Sequence, residues 1–336
     1  MIAGDGTGGN DMIEVRRCGR VQTALLGALA LGVVGCSSGG SSTSAGSRTQ
    51  SHLGDDAIAS VRVVADAGPD RGPLDAAPSP DGSVVYFTAD GTAGPIVLGA
   101  PGTGGATFTL VAGAPLVKPV GVAVATDGSR VFVADPGAGR IFSVPSGGGA
   151  PTVVAGSEGR SPRGLDVAVA GGSDVVYFTG TDPADGAPAV FTLPAAGGTA
   201  TVVAKGAPLV SPDAVVTAGA GVLYVTDRGK GADQGAVLKV SGSTVTKIAD
   251  SQLGDPGGVS LTSDLTTLLV SSQMPGTGAD QLLLTDLASG RSGTATKVIG
   301  ANHNSSGGLH RAYRTKTFGW CDVSRSGKVY RVEPAA

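Results

Sequence analysis

Seven aspartates recur along the chain at wide intervals: Asp75, Asp90, Asp135, Asp182, Asp213, Asp227 and Asp322. Carboxylates brought together from distant segments can bind a divalent cation such as calcium, or accept hydrogen bonds from a hydroxyl-rich ligand. The same side chains also cap loops, because an Asp oxygen accepts from nearby backbone N–H groups. A second group is Asn302-His303-Asn304. Beyond Asn10 these are the only asparagines in the chain, and the histidines are His52, His303 and His310. Such a cluster suits a polar contact or a metal point; equally, it reads as a polar loop followed by a strand histidine. A third set is Asp166, Ser260 and His310, each two residues after a glycine (Gly164, Gly258, Gly308). Equal offsets from equal landmarks place side chains on one face of equivalent strands.

Several chemistries lack their residues. No G-x-S-x-G elbow is present, so the serines have no nucleophile turn. Gly102, Gly104 and Gly105 lie in a turn with no helical pattern after them and do not make a phosphate loop. Cys321, alone on a predicted strand, reads as a small buried apolar residue. The formal net charge is −3, from 24 basic and 27 acidic residues. That balance offers no basic patch for nucleic acid.

The elements that position these residues come from a repeat. A β-branched phrase ending in Ala or Gly appears six times, as in Val61-Arg62-Val63-Val64-Ala65, Thr152-Val153-Val154-Ala155 and Thr201-Val202-Val203-Ala204. After the phrase comes a proline, at Pro73, Pro119, Pro162, Pro212 and Pro256, spaced by 43 to 50 residues. The second copy is clearest. Val120–Ala125 reads as a strand, Thr126–Ser129 as a tight turn, and Val131–Ala134, Arg140–Val144 and Pro151–Ala155 as three more strands. Four short strands in 43 to 50 residues, separated by Gly-rich turns and without 3.6-residue periodicity, form a propeller blade. Gly and Pro, 57 and 20 of 336 residues, fall between the strands and are turns rather than disorder. The sequence therefore predicts an all-β, six-bladed β-propeller of four-stranded blades over residues 57–336. The sixth copy, starting near Ser306, lacks its fourth strand, and a spare strand, 60–66, precedes the first blade. Pairing that strand with Lys328–Val332 closes the ring and hides the open sheet edges. Blades rich in Val, Ala and Leu are expected to pack through small side chains.

Residues 12–36 carry an address. Arg16, Arg17 and Arg20 precede an apolar run over 21–34, too short to span a bilayer, with Met12 a plausible start. Val33-Val34-Gly35-Cys36 resembles the lipobox of bacterial lipoprotein signals. That resemblance implies cleavage after residue 35, acylation of Cys36 and export to an envelope membrane, on the outer-membrane or periplasmic side. Residues 37–56, rich in Ser and Gly, then form a tether.

The stretch from Pro119 to Asp135, with Gly139-Arg140-Ile141-Phe142 after it, resembles an NHL repeat, and Leu223-Tyr224-Val225-Thr226-Asp227 resembles the YVTN-type propeller repeat. These resemblances imply the fold far more than a function. The same superfamily contains the gluconolactonase and senescence-marker enzymes, which hold a divalent metal over the channel with carboxylates and Asn from inner-strand starts. Here those starts are Asp75, Gly121, Gly164, Ala214, Gly258 and Gly308, so only Asp75 matches such a ligand. With a single tryptophan, Trp320, the chain also departs from Trp-bearing quinone-cofactor propellers and from WD repeats. The expected protein is a monomeric, lipid-anchored binding module with no obligate cofactor. Its expected partner is a protein, sugar or small molecule, held on the face carrying the inter-blade loops. That face would present Asp75, Asp135, Asp182, Asp213, Asp227, Asn302, His303, Asn304 and Asp322, with Asp166, Ser260 and His310 lining the channel. A lactonase-like hydrolase and a purely structural surface protein are the two alternatives.

Overall fold

The computed structural model describes Leu53 and residues 57–68, 70–92, 94–231, 233–250, 252–295, 306–323 and 327–335. The signal-like segment, Cys36, the Ser/Gly tether apart from Leu53, and Asn302, His303 and Asn304 lie outside the described residues.

The described residues form twenty-four strands in six four-stranded antiparallel sheets. Each sheet is one blade. The inner strands are Arg71–Pro78, Gly121–Val124, Leu165–Ala170, Pro212–Gly219, Pro256–Leu261 and Ser306–Arg311. Each packs against the inner strands of both neighbouring blades, the sixth against the first, so they enclose a central channel. The turns follow the expected chemistry. At Thr126–Ser129, Gly128 takes φ +84° and Asp127 Oδ1 accepts from the Ser129 N–H at 2.8 Å.

Ring closure is as the repeat count required. Ile58–Asp66 pairs antiparallel with Lys328–Pro334, with Val61 opposite Val332 and Val63 opposite Tyr330. The ladder runs two residues further at one end of each strand than the sequence pattern marks.

Two local outcomes differ from the sequence reading. The fourth strand of blade two is only Thr152–Val153. Beyond it the chain turns away, and the Ser157 hydroxyl accepts the Ile141 N–H at 2.9 Å in place of a backbone partner. The core is also less uniformly small than composition suggests. Trp320 and six of the seven phenylalanines are among its largest fully buried side chains. Phe87, Phe132, Phe178 and Phe318 sit on second strands, where the wedge between blades is wide enough for a ring.

Candidate functional site

The channel has two mouths, and the strand directions put different side chains at each. Inner strands run from the face of inter-blade loops toward the face of hairpin turns. Residues at or near their loop-face ends, Asp75, Gly121, Gly164, Ala214, Gly257 and Gly308, line a loop-face mouth of about 290 Å³. Residues further along each strand, including Ala123, Asp166, Thr217, Ser260 and His310, line a hairpin-face mouth of about 650 Å³.

Glycine explains why the loop-face end is narrow. A Cβ at Gly164 would collide with the backbone of Asp213 and Ala214, and one at Gly308 with the Asp75 carboxylate. The strand starts approach so closely that most of them cannot carry a side chain. Asp75 fills the space left at Gly308.

Asp75 therefore points into the ring rather than out to solvent. Its Oδ1 accepts the Ala76 N–H at 2.8 Å, and its Oδ2 accepts the Val122 N–H at 2.8 Å. The same Oδ2 lies 3.1 Å from His310 Nε2. Burial works against the His310 imidazolium, but the Asp75 charge, its hydrogen bond and the Asp166 charge outweigh it and raise the pKa. Asp166 is pushed up to about 6 by burial, partly offset by the Thr217 N–H, which donates to Oδ2 at 2.8 Å, and by His310. Blades one, three and six thus contribute two carboxylates and an imidazole whose charges act on one another in the channel. Ser260 is buried on the same wall.

The other aspartates singled out from sequence are engaged elsewhere. Asp135 accepts from the N–H groups of Val117, Lys118 and Ala138 at 2.8 to 2.9 Å. Asp227 repeats the pattern with Val210, Ser211 and Gly229. Both hold the loop that enters their own blade, and the two loops share five of six residues: Ala114-Pro-Leu-Val-Lys-Pro119 and Ala207-Pro-Leu-Val-Ser-Pro212. This duplication is a sequence signal for capping. Asp182 accepts the Ala184 N–H and pairs with Lys205 at 2.9 Å; that contact, first among its causes, lowers its pKa. Asp90, exposed, accepts the Gly91 N–H. Asp322 neighbours Asp280, whose carboxyl is pushed up to about 7 by burial and by the Asp322 charge.

Asp213 anchors a network on the loop face. It pairs with Arg163 at 3.0 Å and Arg228 at 2.9 Å, and Arg228 reaches Asp255 at 2.9 Å. Burial opposes the Arg228 charge, yet Asp213 and Asp255 raise its pKa above the ordinary value.

Sequence reasoning passed over the basic residues of the hairpin face. Arg311, Arg314 and Lys316 line the wide mouth. Their signal was present: Tyr313-Arg314-Thr315-Lys316 stands where other blades place Asp127-Gly128 or Gly171-Gly172.

As to metal, Asp75 is the one inner-strand start with a ligating side chain, and both of its oxygens already accept hydrogen bonds. Among the described residues no group of three or more His, Cys, Asp or Glu is placed to hold an ion. The donor set does not fit the metal centre that the family resemblance implies.

Fold and channel define a six-bladed β-propeller with a polar, asymmetric central channel. No protein-family model matches the chain, and no curated protein sequence matches it. Solved structures share the fold. A gluconolactonase from Xanthomonas campestris aligns with a TM-score of 0.61 and 16% identity over 83% of this chain and 91% of its own. The PQQ-bound aldose sugar dehydrogenase of Streptomyces coelicolor aligns at 0.58 and 11%, over 82% and 98%. A chain from a nidogen/laminin complex aligns at 0.55 and 20%, over 66% and 79%. Hydrolytic, redox and interaction proteins thus share this architecture, and the fold alone selects none of those roles.

Proposed function

We propose that the protein is an exported, lipid-anchored binding module whose ligand seats in the hairpin-face mouth of the channel. The observation that carries this reading is the cavity of about 650 Å³ lined by all six blades, with Asp166, His310 and Ser260 on its walls. A concave site with a few convergent polar groups, among them carboxyl and imidazole groups with displaced pKa values, is the usual form of a small-molecule site. The lipobox-like sequence ending at Cys36 supports the anchor. A rigid ring on a Ser/Gly tether is suited to capture at a membrane surface.

Two experiments test the reading. A thermal-shift screen of envelope sugars, lactones, organic acids, calcium and zinc is run on the protein and on Ser263→Trp, which places an indole at the mouth. Hits should be lost in the variant and kept in Asp90→Asn, at the opposite mouth. Hits indifferent to Ser263→Trp would move the site away from this cavity. Separately, Cys36→Ser should shift the protein from the membrane fraction to the soluble fraction; persistence with membranes would refute the anchor.

A lactonase-like hydrolase is the second reading. The 3.1 Å contact between His310 and Asp75 favours it, because a carboxylate-oriented imidazole is a competent general base. Lactone turnover abolished in His310→Gln would establish it.

A further inference from the structure

We propose that the hairpin-face mouth is an anion site, taking a small molecule that places a carboxylate or phosphate group among Arg311, Arg314 and Lys316. This rests on the reading that the mouth is the ligand seat, and adds the charge of what sits there.

The chain as a whole is acidic, yet this cavity carries three cationic side chains against one carboxylate, Asp166. Asp166 accepts the Thr217 N–H and lies in the fields of both His310 and Arg311, so its single charge is divided between them. The cations are held by neutral partners. Arg311 Nη1 donates to the carbonyls of Ala312, Tyr313 and Thr315 at 3.1 to 3.4 Å. The Arg314 guanidinium Nη2 donates to the Thr126 carbonyl at 3.4 Å, so the side chain extends from blade six to blade two, while its backbone N–H donates to the Pro80 carbonyl at 2.8 Å. Carbonyls fix a guanidinium without neutralising it. Among the described residues, none of the three forms an ion pair, whereas Arg163 and Arg228 at the other mouth both do.

The electrostatics agree. Burial lowers the Arg311 pKa below its ordinary value despite Asp166 and Asp264 nearby, as expected for a cation short of counter-charge. A planar guanidinium presents paired N–H donors that match carboxylate and phosphate oxygens equally well. Thr217, Ser260 and Ser263 on the same walls supply hydroxyls for the rest of the molecule.

The test is calorimetric titration of the full-length protein in neutral detergent, at constant ionic strength, with inorganic phosphate in one arm and succinate in the other. Saturable binding of at least one anion is expected, and the tighter arm identifies the group recognised. Arg314→Ala combined with Lys316→Ala should weaken binding at least tenfold, while Arg314→Lys with Lys316→Arg should stay within about threefold. Both residues are exposed, so the variants should melt like the parent in anion-free buffer. No saturable binding in either arm, or an alanine pair that binds like the parent, overturns the proposal. The two readings fail separately. Neutral ligands blocked by Ser263→Trp, together with no anion binding, would sink the anion proposal and leave the seat intact. If Ser263→Trp affected neither anions nor neutral ligands, the seat itself would be wrong.

Discussion

The two ends of the channel are built from the same six strands and treat charge in opposite ways. At the loop face, Arg163, Asp213, Arg228 and Asp255 neutralise one another, and Asp135 and Asp227 are consumed in holding loops. At the hairpin face, Arg311, Arg314 and Lys316 hang from carbonyls or face solvent. Glycines pinch the first end, and side chains of moderate size line the second. Charged residues around a propeller mouth are therefore poor guides to function until their partners are known. A rim that satisfies itself is architecture; a rim that leaves charge uncompensated has something to offer a ligand.

The comparison depends first on an intact ring, so the largest effect should come from opening it. Deleting residues 57–66 removes the strand that pairs with Lys328–Pro334 and exposes the edge of blade six. The melting temperature, followed by circular dichroism, should fall by more than about 10 °C or the cooperative transition should vanish. A variant that melts like the parent would mean that closure does not hold the ring together.

A pair of substitutions sharpens the contrast between buried and exposed charge. Asp75→Ala strips the acceptor from the Val122 N–H and leaves His310 without its carboxylate, both inside the ring. It should cost about 2 to 4 kcal/mol in a urea titration. Asp213→Ala breaks ion pairs with partly exposed arginines and should cost about 1 kcal/mol or less. Equal losses at the two sites would remove the distinction.

The smallest effect is the pH dependence of stability. Asp166, at about 6, Asp280, at about 7, and His310 all have raised folded-state pKa values. A raised value contributes stability that is fully present below the unfolded pKa and is lost as pH rises through the folded one. The melting temperature should therefore decline from about pH 4, the unfolded carboxyl value, to about pH 7, the folded value of Asp280, and further as His310 deprotonates. Asp166→Asn should flatten the part between about pH 4 and 6 and leave the protein about 1 to 2 kcal/mol less sensitive across it. His310→Gln should flatten the part above its unfolded value of about 6.5. A melting temperature that climbs across this range would contradict the assigned directions.

Blade number, strand order and the closing strand were all legible without coordinates. They are encoded locally: β-branched triplets make strands, Asp-Gly and Gly-Gly make turns, and a fixed period of such units has few compact solutions. The equal offsets of Asp166, Ser260 and His310 from their glycines were legible for the same reason, because strand alternation is a local rule. What the tertiary structure decided was which side chains meet. Asp75 and His310 are 235 residues apart in the chain, and their contact exists because the sixth inner strand closes against the first. Residue type alone did not separate a capping aspartate from a channel one: Asp135 and Asp227 end second strands while Asp75 lies on an inner strand, and the fold decides which N–H groups each can reach. That Arg311, Arg314 and Lys316 form no ion pair among the described residues is likewise a property of the assembled ring. Whether a charge is compensated depends on neighbours from other blades, and only folding brings those blades together.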